Sequence, residues 1–385
     1  MAKQRKHIGK NILFGILLIG LCLPLIQQLT QFASVRALSG AIVNTKPPVY
    51  SSENWFNGTF QDTSLNYIND NFGFRNDFIR LNNQRLFMLY NEARANGVII
   101  GKENYLYEIG YIRAAFGNDF VGFDTVKRDV EKLKRVHDTL NSLGKKIVFL
   151  FAPGKASYFP EYVPDKFTEL KHEQTNLDAY TKELKQQGLD HVDLNTWFVQ
   201  AKDTTQYPLY AKCGIHWSKY SEYLVMDTLV NYFENLMEVD LPELVFDGFH
   251  VSEENKNGDY DVGEGMNLYS KISTFPMAYV DYHFDKENPY DTVRSIVVAD
   301  SYYWGLFGRN LSSDCFKEGE FWYYNNKIFS DVTPNGMDRD KVDLAQRIES
   351  NDVFIILSTD ANLDDFGFNF IDQMYEFFYT KKGIR

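Results

Sequence analysis

The sequence predicts an α/β fold, a layered and mostly parallel sheet flanked by helices, and three observations carry that expectation. "KKIVFLFA", "RSIVVA" and "DVFIILS" are near-continuous apolar runs of strand length, as expected for strands covered on both faces. Between such runs lie amphipathic stretches, so strand and helix alternate in the way that builds parallel sheets through right-handed crossovers. With 385 residues and 44% hydrophobic content, the chain can bury one large core.

The N-terminus is a region apart. "MAKQRKHIGK" carries four Lys/Arg and no acid, and the apolar run Ile12 to Ile26 follows. The run is short for a membrane span, where about 20 residues is usual, and its length also suits a signal-peptide core. "QQLTQFASVRALSG" offers only weak small-residue cleavage options, which favours an uncleaved anchor over residues 11–32 behind a basic tail of residues 1–10. The positive-inside rule then leaves the N-terminus in the cytoplasm and the rest of the chain outside. Without the first ten residues the net charge falls from −12 to −16, which excludes a nucleic-acid partner on electrostatic grounds. Cys22 lies in the apolar segment, while Cys213 and Cys315 are able to pair in an oxidising compartment or to stand as free thiols.

Residues 33–60, with Pro47-Pro48 and several turn residues, read as a linker. A lead-in over 61–120 follows. Leu65, Ile68 and Phe72, then Phe78, Leu81 and Leu86, are spaced for helices broken at Gly73, and "GVIIGKENYLYEIG" reads as a β-hairpin. The layered domain is expected over 121–385. Val126, Val130, Leu133, Val136, Leu140 and Leu143 mark an amphipathic helix stopped by Gly144. A helix near Glu173–Gln187, the short strand "HVDLN" and a helix Ser218–Leu236 come next. Residues 238–290, rich in Asp, Asn, Gly and Tyr, look like an irregular insertion. After "RSIVVA" come a helix, one strand around "FWYYNNKIF", a helix "DRDKVDLAQRIES", the strand "DVFIILS" and a last helix to Tyr379.

In open α/β sheets the site lies beyond the carboxyl ends of the strands. There "IVVADS" delivers Asp300 and Ser301, "VFLFAPGK" delivers Lys155, and "FIILSTD" delivers Asp360. His216 stands just before the helix that begins near Ser218. A serine hydroxyl needs a base to become a nucleophile, and histidine is the natural one. The Gly-x-Ser-x-Gly elbow is absent, which excludes the usual α/β-hydrolase arrangement. The N–H of Ser301 or Tyr302 can serve an oxyanion hole, and Lys155 can assist at its strand tip. Tyr302, Tyr303, Trp304, Trp217 and the run Trp322-Tyr323-Tyr324 are candidates for a sugar-stacking platform. No cluster with metal-ligand spacing is present in the sequence, and no cofactor is expected.

Together these segments resemble the SGNH-hydrolase-like domain of the AlgX/AlgJ-type polysaccharide O-acetyltransferases. Ala299-Asp300-Ser301 is similar to that family's nucleophile motif, and Gly214-Ile215-His216-Trp217 matches in part its Asp-x-His-Trp motif. Phe74-Arg75, Gly101-Lys102 with Leu106, and "APGKASYFPEYVP" are similar to its further motifs, so the resemblance covers roughly residues 50–385. It implies a permuted order with His before Ser, Ser301 as acyl acceptor, His216 as base, a polysaccharide acceptor, and a multi-pass membrane acyltransferase of the MBOAT type as acyl donor. The departure is Gly214, where the family has its triad aspartate. Asp193, Asp300, Asp360 or a backbone carbonyl remains to orient His216, with Asp360 or a carbonyl favoured. A Ser-His dyad, a carbohydrate esterase and a catalytically inactive scaffold or glycan-binding subunit are the competing readings.

Overall fold

A computed structural model describes residues 2–40, 45–169 and 174–380. The chain divides into two compact units, Met1–Asn96 with Gly263–Lys271, and Gly97–Val262 with Ile272–Arg385.

The smaller unit is helical. Helix α1 spans Ala2–Thr30, and its segment Ile8–Thr30 is long and apolar enough to cross a membrane. Helices α2 (Ser52–Phe56), α3 (Thr59–Asn71) and α4 (Arg75–Tyr90) follow. The break between α3 and α4 falls at Phe72–Phe74, with Phe74 in the left-handed region at φ 61°. Arg75 secures this elbow by donating to the Asn69 carbonyl and to Asp70. Of the six apolar residues that mark the two helices, only Leu86 is buried, and the other five are exposed.

The larger unit contains the hairpin β1 (Val98–Ile100) and β2 (Leu106–Glu108), then β3 (Lys146–Ala152) and β4 (His191–Asp193). An antiparallel ribbon of β5 (Glu243–Ser252) and β6 (Met277–Asp285) precedes β7 (Ser295–Ala299). The remaining strands are β8 (Glu320–Tyr323), β9 (Lys327–Phe329), β10 (Met337–Asp338) and β11 (Val353–Thr359). The central sheet has seven strands in the order β10-β9-β8-β7-β11-β3-β4. The five from β8 to β4 are parallel; β9 pairs antiparallel with β8, and β10 antiparallel with β9. The apolar runs occupy the middle: every residue of β7 and β11 is buried. One face is covered by the helices Phe123–Ser142, Asn176–Gln186 and Phe370–Tyr379. Val126, Val130, Leu133, Val136 and Leu140 face that core, each worth about 1.5–3 kcal/mol on burial.

The structure differs from expectation at several boundaries. Leu143 is exposed, because the helix closes at Ser142 and Gly144 takes φ +72° to turn the chain away. The helix expected from Glu173 begins at Asn176, capped by Thr175, and Glu173 lies outside the described residues. "FWYYNNKIF" is two strands, since Tyr324 and Asn325 both adopt positive φ and reverse the chain. The helix in "DRDKVDLAQRIES" starts at Leu344, where Asp343 caps the Ala345 N–H. The stretch 238–290 is more ordered than its composition implies, since the β5–β6 ribbon and the helix Asp261–Gly265 occupy it.

Candidate active site

Strand β7 runs buried to Ala299 and releases Asp300 and Ser301 at its carboxyl end. The turn is built by Asp300, whose carboxylate accepts from the Tyr302 N–H at 3.0 Å, the Thr359 N–H at 2.8 Å and the Asn362 amide at 2.9 Å. Asp300 thereby ties the tip of β7 to the tip of β11. It shapes the turn that carries Ser301 and makes no hydrogen bond to the imidazole.

His216 sits at the end of the loop 210–217, closed by an isolated antiparallel bridge between Tyr210 and Trp217. Ser218 then caps the helix Lys219–Met237. The imidazole Nε2 lies 3.0 Å from Ser301 Oγ, and Nδ1 lies 2.8 Å from Asp261 Oδ2. The other carboxylate oxygen, Asp261 Oδ1, accepts from the Ile215 N–H at 3.0 Å. One carboxylate therefore holds both the ring and the backbone one residue before it. Burial pulls the His216 pKa down, but the hydrogen bond and charge of Asp261, with Asp300 and Glu222 behind them, outweigh it and hold the imidazole above its ordinary value.

Asp261 was not among the acids singled out from sequence, and it corrects the expectation of Asp360 or a carbonyl. Asp193 caps the helix Leu194–Ala201 through the Thr196 N–H. Asp360 is buried against Gly154, accepts from the Ser157 hydroxyl, and makes no contact with His216. The geometry also explains Gly214. A Cβ at that position would lie 2.7 Å from the Gly258 carbonyl oxygen and 3.0 Å from the Asp259 carbonyl carbon. The bare glycine admits the 258–261 segment, and that segment brings in the acid from another part of the chain.

Lys155, expected at the substrate, is fully buried. Its ammonium donates to the carbonyls of Lys212 at 2.7 Å and Gly214 at 2.6 Å, inside the loop that carries His216. Burial lowers its pKa to about 7, against the opposing pull of Cys213 and Asp261. Tyr302 and Trp217 reach the wall of the cavity, yet their side chains are packed away. The Tyr302 hydroxyl donates to the Ile215 carbonyl at 2.6 Å, and Trp217 packs on Phe198 and Tyr302. Tyr303 and Trp322 are buried too, so the stacking platform is not assembled from these four rings; Trp304 and Tyr324 are the surface-exposed members of the set. The Tyr302 N–H is committed to Asp300, and the Ser301 backbone hydrogen-bonds the Tyr324 hydroxyl. Cys213 and Cys315 are free, buried thiols, with pKa values pushed up by burial to about 11 and about 12.

A cavity of about 250 Å³ opens over Ser301, His216 and Asp261, walled by Lys219, Trp304 and Gly305. Beneath it Glu222 is buried between Lys219 Nζ at 2.6 Å and Arg309 Nε at 2.7 Å, so its charge is compensated on both sides. The arrangement can pass a proton from Ser301 to His216 while Asp261 steadies the imidazolium.

The buried Asp360 also makes a prediction about stability. Burial, with Asp119 and Asp300 nearby, raises its carboxyl to about 7, although Ser157 donates to it. The unfolded chain ionises this group near pH 4, so native stability from this residue declines as pH rises from about 4 to about 7 and levels above that. Asp360→Asn removes the dependence. Its melting temperature relative to the natural chain is expected to rise between pH 5 and pH 8. A constant difference across that range counts against an acid that folds protonated.

The layered sheet with Ser, His and Asp at its carboxyl edge, His preceding Ser in the chain, defines an SGNH hydrolase-like domain. Residues 98–267 match the family model of the SGNH hydrolase-like domain of acetyltransferase AlgX. The matched segment holds His216 and Asp261 and ends before Ser301. No curated protein sequence matches the chain. Among solved structures, similarity is found to the O-acetyltransferase domain of Pseudomonas putida AlgJ, with 14% identity over 72% of this chain and 99% of that one and a TM-score of 0.45. Pseudomonas aeruginosa AlgX gives 12% identity over 71% and 67% with a TM-score of 0.43. Bacillus cereus PatB1 gives 12% over 65% and 93%, with a TM-score of 0.42.

Proposed function

We propose that the chain is a membrane-anchored, extracytoplasmic O-acetyltransferase that modifies a polysaccharide through an acyl-serine intermediate. The observation that carries this reading is the unbroken chain Ser301–His216–Asp261 at the base of an open cavity. The acetyltransferase family model supports the reaction class. The basic residues that precede the apolar run Ile12 to Ile26 support a cytoplasmic N-terminus.

In the first half-reaction His216 Nε2 takes the Ser301 proton as Oγ attacks the carbonyl carbon of an acetyl donor. This reading assigns the developing oxyanion to the Ser301 N–H, taken over from the Tyr324 hydroxyl that it bonds in the resting site. The bond to the donor's leaving group breaks, and that group departs with the proton from His216. In the second half-reaction His216 deprotonates a sugar hydroxyl, which attacks the acetyl ester. Ser301 Oγ leaves and recovers its proton, and the acetyl group stays on the sugar. Asp261 holds the Nδ1–H throughout and stabilises the imidazolium of both steps. A multi-pass acyltransferase of the MBOAT type is the donor this reading requires.

The test uses the detergent-purified full chain with p-nitrophenyl acetate and intact-mass spectrometry. An acetyl adduct is expected in the natural chain and absent from both Ser301→Ala and His216→Ala. Adding acceptor oligosaccharide is expected to discharge the adduct onto sugar. Discharge to water alone points to an esterase. If no adduct forms and nitrophenol release equals that of Ser301→Ala, the chain is no autonomous catalyst.

A further inference from the structure

We infer that α3, with the elbow into α4, lies in the outer leaflet beside α1, its exposed apolar stripe covered by lipid. The inference rests on reading α1 as a membrane span and goes beyond it by giving the lead-in a membrane-embedded face.

The observations all belong to the smaller unit. The segment Ile8–Thr30 has 23 residues. About 20 residues at 1.5 Å each cross a hydrocarbon core of about 30 Å. Whichever 20 of these residues fill the core, Leu21 and Leu25 fall inside it, on the side away from the basic N-terminus. Helix α3 is packed against this depth. Leu21, Pro24 and Leu25 share one apolar groove with Tyr67, Ile68 and Phe72. The approach is close: a Cβ at Gly73 would overlap the Pro24 carbonyl and stand 2.9 Å from Gln27 Cβ and from the Gln28 nitrogen. Only a glycine lets the elbow rest on the last turns of α1.

A side chain that borders Leu21 and Leu25 shares their solvent. Leu65, Ile68 and Phe72 are 59%, 61% and 39% exposed; Leu65 and Ile68 stand at i and i+3 on one face of α3, and Phe72, its extended C-cap, follows at i+7. Phe78 and Leu81 extend the exposed apolar surface onto α4. The acid nearest the elbow, Asp70, is engaged by Arg75 and Thr45. An apolar stripe on a polar helix, seated at the end of a span, is the pattern of an interfacial helix. The continuity of this face with the span selects lipid over a second copy or a protein partner.

The experiment is spin-label accessibility on the full chain in lipid nanodiscs, with Cys22→Ala to clear the exposed thiol; Cys213 and Cys315 are buried. Single labels are placed by Ile68→Cys and, independently, by Leu65→Cys. Leu18→Cys in α1 is the depth reference and Lys185→Cys the water reference. Labels at 68 and 65 are expected to collide preferentially with oxygen, as at 18, whereas the label at 185 favours the aqueous nickel chelate. If 68 and 65 match 185 while 18 stays oxygen-accessible, the span stands and the lipid-covered face is overturned, leaving a protein to cover the stripe. If 18 also matches 185, the span itself fails and this inference with it.

Discussion

Asp261→Asn is expected to lower the rate of Ser301 acylation by about 10⁴-fold while the chain keeps its fold. The loss follows from geometry. Asp261 Oδ2 accepts from His216 Nδ1, and an asparagine amide turned toward Nδ1 favours the tautomer with its proton on Nε2, where the ring cannot take the serine's proton. An asparagine oxygen can still accept from the Ile215 N–H, as Asp261 Oδ1 does now, so the loop retains its anchor.

The pH profile separates this role from a structural one. Acylation needs neutral His216 as base, so the rate rises with pH through the imidazole pKa. In the natural chain Asp261 helps hold that pKa above its ordinary value against the pull of burial. Removing the negative charge stabilises imidazolium less, and the rising limb moves to lower pH while its plateau falls. The measurement is the nitrophenol burst from p-nitrophenyl acetate as a function of pH. A fall of less than about tenfold with an unmoved limb would mean that Asp261 does not orient the base.

Gly214→Ala carries the second large effect. The atoms its Cβ would meet, at 2.7 Å and 3.0 Å, are backbone atoms of Gly258 and Asp259, which cannot rotate aside as a side-chain tip can. The 258–261 segment must shift, and it carries Asp261 with it. Overpacking of this kind costs about 1–3 kcal/mol, and a displacement of about 1 Å at the reacting groups costs about 10²-fold in rate. A lower melting temperature and a weaker burst are both expected. Gly214→Asp is expected to do no better, even combined with Asp261→Ala, because the space beside the loop is already filled. Restoration of acylation in that double variant would falsify the account in which the 258–261 segment supplies the acid in place of position 214.

Much of the site was legible because its signals are local. Ser301 follows a buried apolar run, and a strand that ends in Asp-Ser must present the serine at its carboxyl tip. His216 precedes a helix whose cap, Ser218, is equally local. The acid was not legible. Asp261 is 45 residues from His216 and stands in an acid-rich stretch with Asp259 and Glu264 that marks none of them out. Lys155 was placed at the correct strand end but on the wrong side of the surface, because its sequence neighbours do not reveal that two loop carbonyls await its ammonium.

By itself the sequence determined the apolar N-terminal helix, the parallel centre of the sheet, and the serine and histidine at its edge. All of these follow from short-range periodicity, capping and charge, which act between residues a few positions apart. Only the tertiary structure decided which acid hydrogen-bonds His216, that Lys155, Tyr302 and Trp217 support the loop from within, and that Leu65, Ile68 and Phe72 stay uncovered beside α1. Those outcomes depend on which distant segments share space, and a single missing side chain at Gly214 is enough to decide which segment that is.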